Sequence, residues 1–189
     1  MSHGDHAART DSIDDLGALL GTDRGAAGCW CMWFIVPVKK HHGAGSDGNR
    51  AGLHARVAAD RHPMGMIAHR DGAPVGWCAV GPRSRYARAI ATPTYRGRDP
   101  GEDDRVWLLP CLFVRREARG SGLGERLVRA ALNLARDSGA AAIEAFPHSG
   151  PQRRGKDTQV GFERLFARCG LVPLRRPSAT RVVMRLELG

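Results

Sequence analysis

One stretch of the chain, Val106–Val114 (VWLLPCLFV), is apolar without alternation, the pattern of a strand covered on both faces at the middle of a sheet. After a polar turn the period changes. From Leu123 apolar residues recur at Leu127, Ala131 and Leu134, with Glu125, Arg126, Arg129, Asn133 and Arg136 between them, which predicts an amphipathic helix ended by Ser138-Gly139. Residues 140–146 (AAAIEAF) then predict a strand parallel to the first, because a helical crossover joins the two. Upstream, Ile13–Leu20 predicts a short helix capped by Ser12. Residues 39–50 (KKHHGAGSDGNR) lack core residues and predict a glycine-rich mobile loop, with a helix over 53–62. Residues 64–70 and 75–80 predict a hairpin turning at Asp71-Gly72-Ala73-Pro74. Residues 81–104 form a polar connection with Arg83, Arg85, Arg88, Arg96 and Arg98 and both tyrosines, Tyr86 and Tyr95. Downstream, Phe162, Leu165, Phe166 and Cys169 keep helical spacing, with Asp157 or Thr158 as cap and Gly170 as stop. Strands over 171–174 and 181–188 close the sheet, the second alternating as a half-exposed strand would. Residues 1–12 carry no apolar period and predict a flexible terminus, leaving 13–189 as a single domain.

The turn between the unbroken strand and its helix, Arg119-Gly120-Ser121-Gly122-Leu123-Gly124-Glu125, is the strongest chemical signal. Its glycines let successive N–H groups point into one concavity at the positive end of a helix dipole, which suits a pyrophosphate. A P-loop would need Lys and then Ser or Thr after the last glycine, and Glu125-Arg126 stands there. A dinucleotide fingerprint needs G-x-G-x-x-G directly after the strand, whereas the glycines run G-x-G-x-G and five residues, 115–119, intervene.

The turn resembles the acyl-CoA signature Gln/Arg-x-x-Gly-x-Gly/Ala of the GNAT N-acetyltransferase superfamily, and the segment 162–171 (FERLFARCGL) resembles that superfamily's penultimate helix and exit into a strand. The likeness covers roughly residues 74–188. It implies an α+β fold: a mixed, mostly antiparallel central sheet with one splayed parallel strand pair and flanking helices. It also implies an acetyltransferase that moves an acetyl group from acetyl-CoA to an amine, of a small molecule such as an antibiotic or another metabolite, or of a protein. Arg119, Gly120, Ser121, Gly122, Leu123, Gly124 and Glu125 would hold the pyrophosphate. The backbone of Leu112, Phe113 and Val114 would pair with the pantetheine arm, one N–H polarising the thioester carbonyl. The chain departs from the pattern at Phe166, where many members carry a Tyr that protonates the leaving thiolate. Tyr86 or Tyr95 would have to fold back to replace it. Base candidates are Glu144, His148, Glu102, Asp103 and Asp104, with Glu144 favoured because the splayed strands would place it near the slot. The missing Tyr leaves a non-catalytic acyl-CoA-binding module as an alternative.

Cys29-Trp30-Cys31-Met32-Trp33-Phe34 brings a large apolar payload. Packing accounts for it, and Trp30 and Trp33 could also wall an acceptor pocket or serve a homodimer contact. The segment makes a poor zinc site because Cys-x-Cys lacks the usual spacing, so no metal is expected. Cys111 on the central strand reads as core.

Composition adds less. The net charge of +10 from 29 basic and 19 acidic residues attracts polyanions. The positive charge is nearly all arginine, however, and it is scattered without aromatic interleaving, so no nucleic-acid partner is expected. Five cysteines, an odd number, and an opening without an apolar signal segment point to the cytoplasm. The longest apolar run, residues 29–38, is about half of the ~20 residues that cross a bilayer.

Overall fold

The computed structural model describes residues 6–9, 12–21, 28–150 and 158–189. One seven-stranded sheet organises them: β1 His6–Arg9, β2 Gly65–Arg70, β3 Ala73–Pro82, β4 Val106–Val114, β5 Ala142–Ala145, β6 Val172–Ser178 and β7 Arg181–Glu187, in the order β1-β2-β3-β4-β5-β7-β6. Only β4 and β5 run parallel, and every other neighbour is antiparallel. The helices are α1 Ile13–Leu20, α2 Val38–Ala59, α3 Ala87–Ile90, α4 Leu123–Asp137 and α5 Glu163–Arg168. One core lies between the sheet and α1 and α2, and the other between the sheet and α4 and α5.

The central strand explains the layout. Trp107 and Leu109 enter the α4 side while Leu108 enters the α1 side; yet Cys111 joins the α1 side and Leu112 the α4 side. Side chains of a regular strand change face at every residue, so an odd step between two same-face residues marks an inserted residue. The register agrees, because Ala79↔Cys111 and Gly81↔Leu108 span two residues on β3 and three on β4. The bulge falls at Leu109–Pro110, where proline has no N–H for a ladder to lose. There β4 leaves β5: the last parallel pair is Leu109↔Ala145. The free edge can be deduced. Arg115 N–H donates to the Val75 carbonyl on β3, and backbone direction alternates, so Leu112 and Val114 turn theirs away from β3.

Several expectations change. His6–Arg9 pairs with β2 although residues 1–12 read as a loose terminus, because an edge strand needs backbone complementarity and no apolar period; residues 1–5, 10 and 11 lie outside the described residues. The loop expected over 39–50 is helical, as the first part of α2. Gly45 breaks that helix with φ 62° and ψ −168°, and the amide of buried Asn49 ties it down by donating to the carbonyls of Gly28 at 2.9 Å and His41 at 3.2 Å. β7 is not half-exposed: Val183 is as buried as Val182 and Met184 because it belongs to the α1-side core and they belong to the α4-side core. α5 starts at Glu163, so Thr158 opens a separate 3-10 turn, Thr158–Val160, and the proposed cap at Asp157 lies outside the described residues.

The polar connection 81–104 is tied down by two buried guanidiniums. Arg85 donates to Asp60 at 2.9 Å and to the carbonyls of His62, Pro63 and Val80 at 2.8–3.0 Å. Arg83, 1% exposed, donates to Asp103 at 2.7 Å, to the Asp99 carbonyl at 2.7 Å and to Glu144 at 3.2 Å. Neither is a free receptor for an anion. Replacing Arg83 with methionine leaves Glu144 to Arg185 alone and Asp103 to Arg98 alone, and should lower unfolding stability by up to about 3–5 kcal/mol, read from urea denaturation. A loss below about 1 kcal/mol would show that the network is dispensable.

Candidate active site

Two features meet where β4 and β5 part. The first is the turn into α4. Gly120 and Gly122 adopt φ +81° and +78°, a conformation that L side chains rarely take, and this rotates neighbouring amides toward one side. None of the N–H groups of residues 120–124 donates to an acceptor among the described residues. Arginines surround the turn: Arg70 donates to Ser121 Oγ at 3.3 Å, Arg126 to the Ser121 carbonyl at 3.3 Å, and Arg119 to the Val114 carbonyl at 2.9 Å. Leu123 anchors the turn in the α4 core, and a side chain at Gly124 would press on Leu165. Glu125 has another job. Its N–H donates to Gly122, and Arg129 and Arg168 grip its carboxylate at 2.8 and 3.0 Å, lowering its pKa in that order of effect. An array of unpaired N–H donors, a helix N-terminus and flanking guanidiniums fits a pyrophosphate.

The second feature is a cavity of about 160 Å³ on the α1 side of the sheet, walled by Trp33, Phe34, Arg88, Phe146, Gln159 and Arg181 among others. Phe146 is the residue at which β5 leaves β4, so the cavity opens at the splay. Arg88 lies 3.5 Å over the Trp33 ring centroid and donates to the Trp33 carbonyl. Burial pulls its pKa down, against an opposing pull from Cys29. Arg181 donates to the Phe146 carbonyl at 3.1 Å.

Trp33 is thus at the cavity, as expected, while Trp30 is not. Consecutive left-handed residues, Trp30 (φ 46°) and Cys31 (φ 55°), reverse the chain, so Trp30 packs on Gly17 of α1 and donates to Ser46 Oγ at 3.2 Å. Cys31 accepts from Trp77 Nε1 at 2.9 Å. The Cys31 sulfur, then burial, push the Cys111 thiol well above its usual pKa, so Cys111 is an inert core thiol.

Glu144, the favoured base, is 1% exposed. Its Oε1 takes hydrogen bonds from Arg83 at 3.2 Å and Arg185 at 3.3 Å, and its Oε2 has no partner among the described residues. Tyr95 is buried, and burial, then Glu144, raise its pKa well above the ordinary value. Burial likewise raises Tyr86; both phenols lie enclosed in the α1-side core, across the sheet from Phe166, which is itself fully buried on the α4 side. Glu102 and Asp103 are held by Arg185 and Arg83. Sequence reasoning missed Arg181, Phe146 and Gln159, which only the fold gathers. Among the described residues no His, Cys, Asp and Glu group could hold a metal ion, and no helix is long and apolar enough to cross a membrane.

The model of the Acetyltransferase (GNAT) family matches residues 29–154, more than half of the 189. Solved structures share the fold at low identity. An N-acetyltransferase from Staphylococcus aureus Mu50 is 13% identical over 98% of this chain and 99% of its own, with TM-score 0.62. The protein yncA from Salmonella typhimurium, solved with its cofactor acetyl-CoA, is 15% identical over 98% and 95%, with TM-score 0.61. The paia N-acetyltransferase from Thermoplasma acidophilum, in complex with coenzyme A, is 15% identical over 97% and 99%, with TM-score 0.57. No curated protein matches significantly.

The two tryptophans should separate in parallel urea melts. Trp30→Ala opens a buried cavity and should cost about 3–5 kcal/mol, whereas Trp33→Ala removes a half-buried wall and should cost clearly less. Equal losses would place Trp33 in the core.

Proposed function

The chain belongs to the acetyltransferase (GNAT) family, and from that premise we propose that it acetylates the amine of a small molecule with acetyl-CoA. The observation that carries this is the set of unpaired N–H groups at residues 120–124, ringed by Arg70, Arg119 and Arg126. Those groups would hold the pyrophosphate. The outward backbone of Leu112 and Val114 gives a strand-like arm an edge to pair with, while Phe113 turns toward the α1 core. Acetyl-CoA supplies an acetyl group already activated as a thioester.

What remains for the chain is orientation and proton traffic. Among the described residues the cavity wall has no carboxylate or imidazole, so the acceptor amine gives its proton to water. Glu144 is a positioning residue: its carboxylate is held by two guanidiniums and is not part of the cavity wall. Phe166 favours a second reading, a non-catalytic acyl-CoA-binding module. A thiolate leaving group weakens that objection, since a thiol of pKa about 8.5 is protonated by water readily enough without a dedicated acid.

Calorimetry should show micromolar binding of acetyl-CoA but not NAD, lost in Gly122→Asp, which puts a carboxylate in the cradle and strains a left-handed position. Absence of binding overturns the proposal, and binding without thiol release over an amine panel supports the second reading. Glu144→Gln should lower stability yet leave the acidic limb of the kcat/KM pH profile, the rise toward the amine's own pKa, unchanged. Loss of that limb would reinstate Glu144 as the base.

A further inference from the structure

The open edge of β4 is taken at one point. Arg119 Nε donates to the Val114 carbonyl at 2.9 Å. Val114 turns that carbonyl away from β3, because Arg115 N–H donates to Val75 on β3, and so toward the side that β5 has left. A strand-like ligand paired to this edge runs about 4.8 Å away, with its N–H nitrogens about 2.9 Å from the carbonyls they meet. Arg119 Nε stands where such a nitrogen belongs. The guanidinium and a pairing arm therefore exclude one another at Val114.

The same side chain borders the cradle. Arg119 directly precedes Gly120, the first of the residues 120–124 whose N–H groups donate to no acceptor among the described residues. The backbone here is pinned: Arg119 N–H donates to the Arg116 carbonyl at 3.3 Å, and Ala118, in the α4 core, accepts from Ser121 Oγ at 2.9 Å. The Arg119 side chain itself is exposed, so it can change partners without moving the turn. It stands between two acceptors of unequal strength, the neutral Val114 carbonyl and a phosphate seated on the cradle. A charge-assisted, bidentate guanidinium–phosphate contact is about twice as strong as a bond to a neutral carbonyl.

We propose that Arg119 is a latch on the β4 edge and the residue that makes the donor site select thioesters carrying a pyrophosphate. The proposal rests on the acetyl-CoA reading above. A full coenzyme A thioester takes the guanidinium onto its phosphates, which clears the Val114 carbonyl for the arm. A thioester without phosphates has to break the Arg119–Val114 bond and offers nothing in exchange. One side chain thus adds to the binding of the whole coenzyme and subtracts from that of the bare arm. An arginine that only bound phosphate would leave the bare arm unaffected, and one that only braced the turn would weaken both ligands on removal.

The test titrates the protein with coenzyme A by calorimetry and with pantetheine by NMR, which follows binding into the millimolar range. Arg119→Ala should weaken coenzyme A about tenfold or more, the scale of one charged hydrogen bond, and tighten pantetheine about threefold or more, the scale of one neutral bond no longer in competition. Arg119→Gln separates the two roles, because Gln Nε2 lies as many bonds from Cα as Arg Nε and keeps an N–H for the Val114 carbonyl without the charge. It should weaken coenzyme A as alanine does while leaving pantetheine within about twofold of the wild type. Arg116→Ala, which removes a neighbouring exposed charge, should also leave pantetheine within about twofold. The proposal is overturned if pantetheine binds Arg119→Ala no tighter than the wild type or not at all, if the alanine and glutamine variants treat pantetheine alike, or if coenzyme A affinity is unchanged in both. Failure of the wild type to bind coenzyme A sinks the cofactor reading instead, which separates the two.

Discussion

The inserted residue at Leu109–Pro110 is the constraint from which the rest follows. A regular β4 would stay paired with β5 along its length, and every backbone group on that side would be satisfied by the neighbouring strand. With one residue too many, the parallel ladder ends at Leu109↔Ala145. Beyond it, Leu112 and Val114 turn to an edge where, among the described residues, only the Val114 carbonyl has a partner, the Arg119 side chain. Proline at the break is what lets the ladder end without orphaning a donor. The cavity and the α4 turn both lie at this parting of strands, so a single local defect in the sheet supplies an opening, a free backbone edge and, at its end, a turn whose N–H groups are unpaired among the described residues.

A sheet opened at its centre needs reinforcement nearby, and the buried ions supply it. Glu144 on β5, Arg185 on β7 and Arg83 in the connection between β3 and β4 tie three chain segments together just below the opening. Such pairs owe little to Coulomb attraction in excess of their desolvation cost. What they contribute is mutual dependence, because the loss of any member takes a counter-charge from a buried partner. That fixes where Phe146 stands when β5 departs, and hence the shape of the cavity.

Legibility in the sequence followed how local each determinant is. The unbroken apolar run 106–114, the 3.6-residue stripe of α4 and the Asp71-Gly72 turn are written in neighbouring residues, and the structure reproduces them. The left-handed turn at Gly120 and Gly122 was legible for the same reason, since a left-handed φ is a property glycine carries in itself. Residues 39–50 were not, because their helix depends on Asn49 reaching Gly28 and His41, contacts that composition cannot display. Within one polar stretch Arg83, Arg85 and Arg88 look alike, yet two are buried struts and one faces the cavity. The difference lies in whether an acid from a distant segment, Asp60 or Glu144, arrives opposite. Trp30 and Trp33 divide similarly, through a backbone reversal at Trp30-Cys31 that nothing in those residue types announces.

The net charge of +10 gave little guidance as a total, and its distribution explains why. Charges on the surface act over about a Debye length, ~10 Å at 0.1 M salt, and average out. Those that decide chemistry are the few that are half-buried and lack an internal partner. In this protein arginines gather at two places on opposite faces of the sheet: Arg70, Arg119 and Arg126 around the turn, and Arg88 and Arg181 at the cavity. Under the proposed function this separation matters. Cofactor phosphates seated on the turn would neutralise the first group and leave the second out of reach behind a layer of strands. The cavity would therefore keep its own electrostatic character once the acyl donor is in place, at the stage when the acceptor enters.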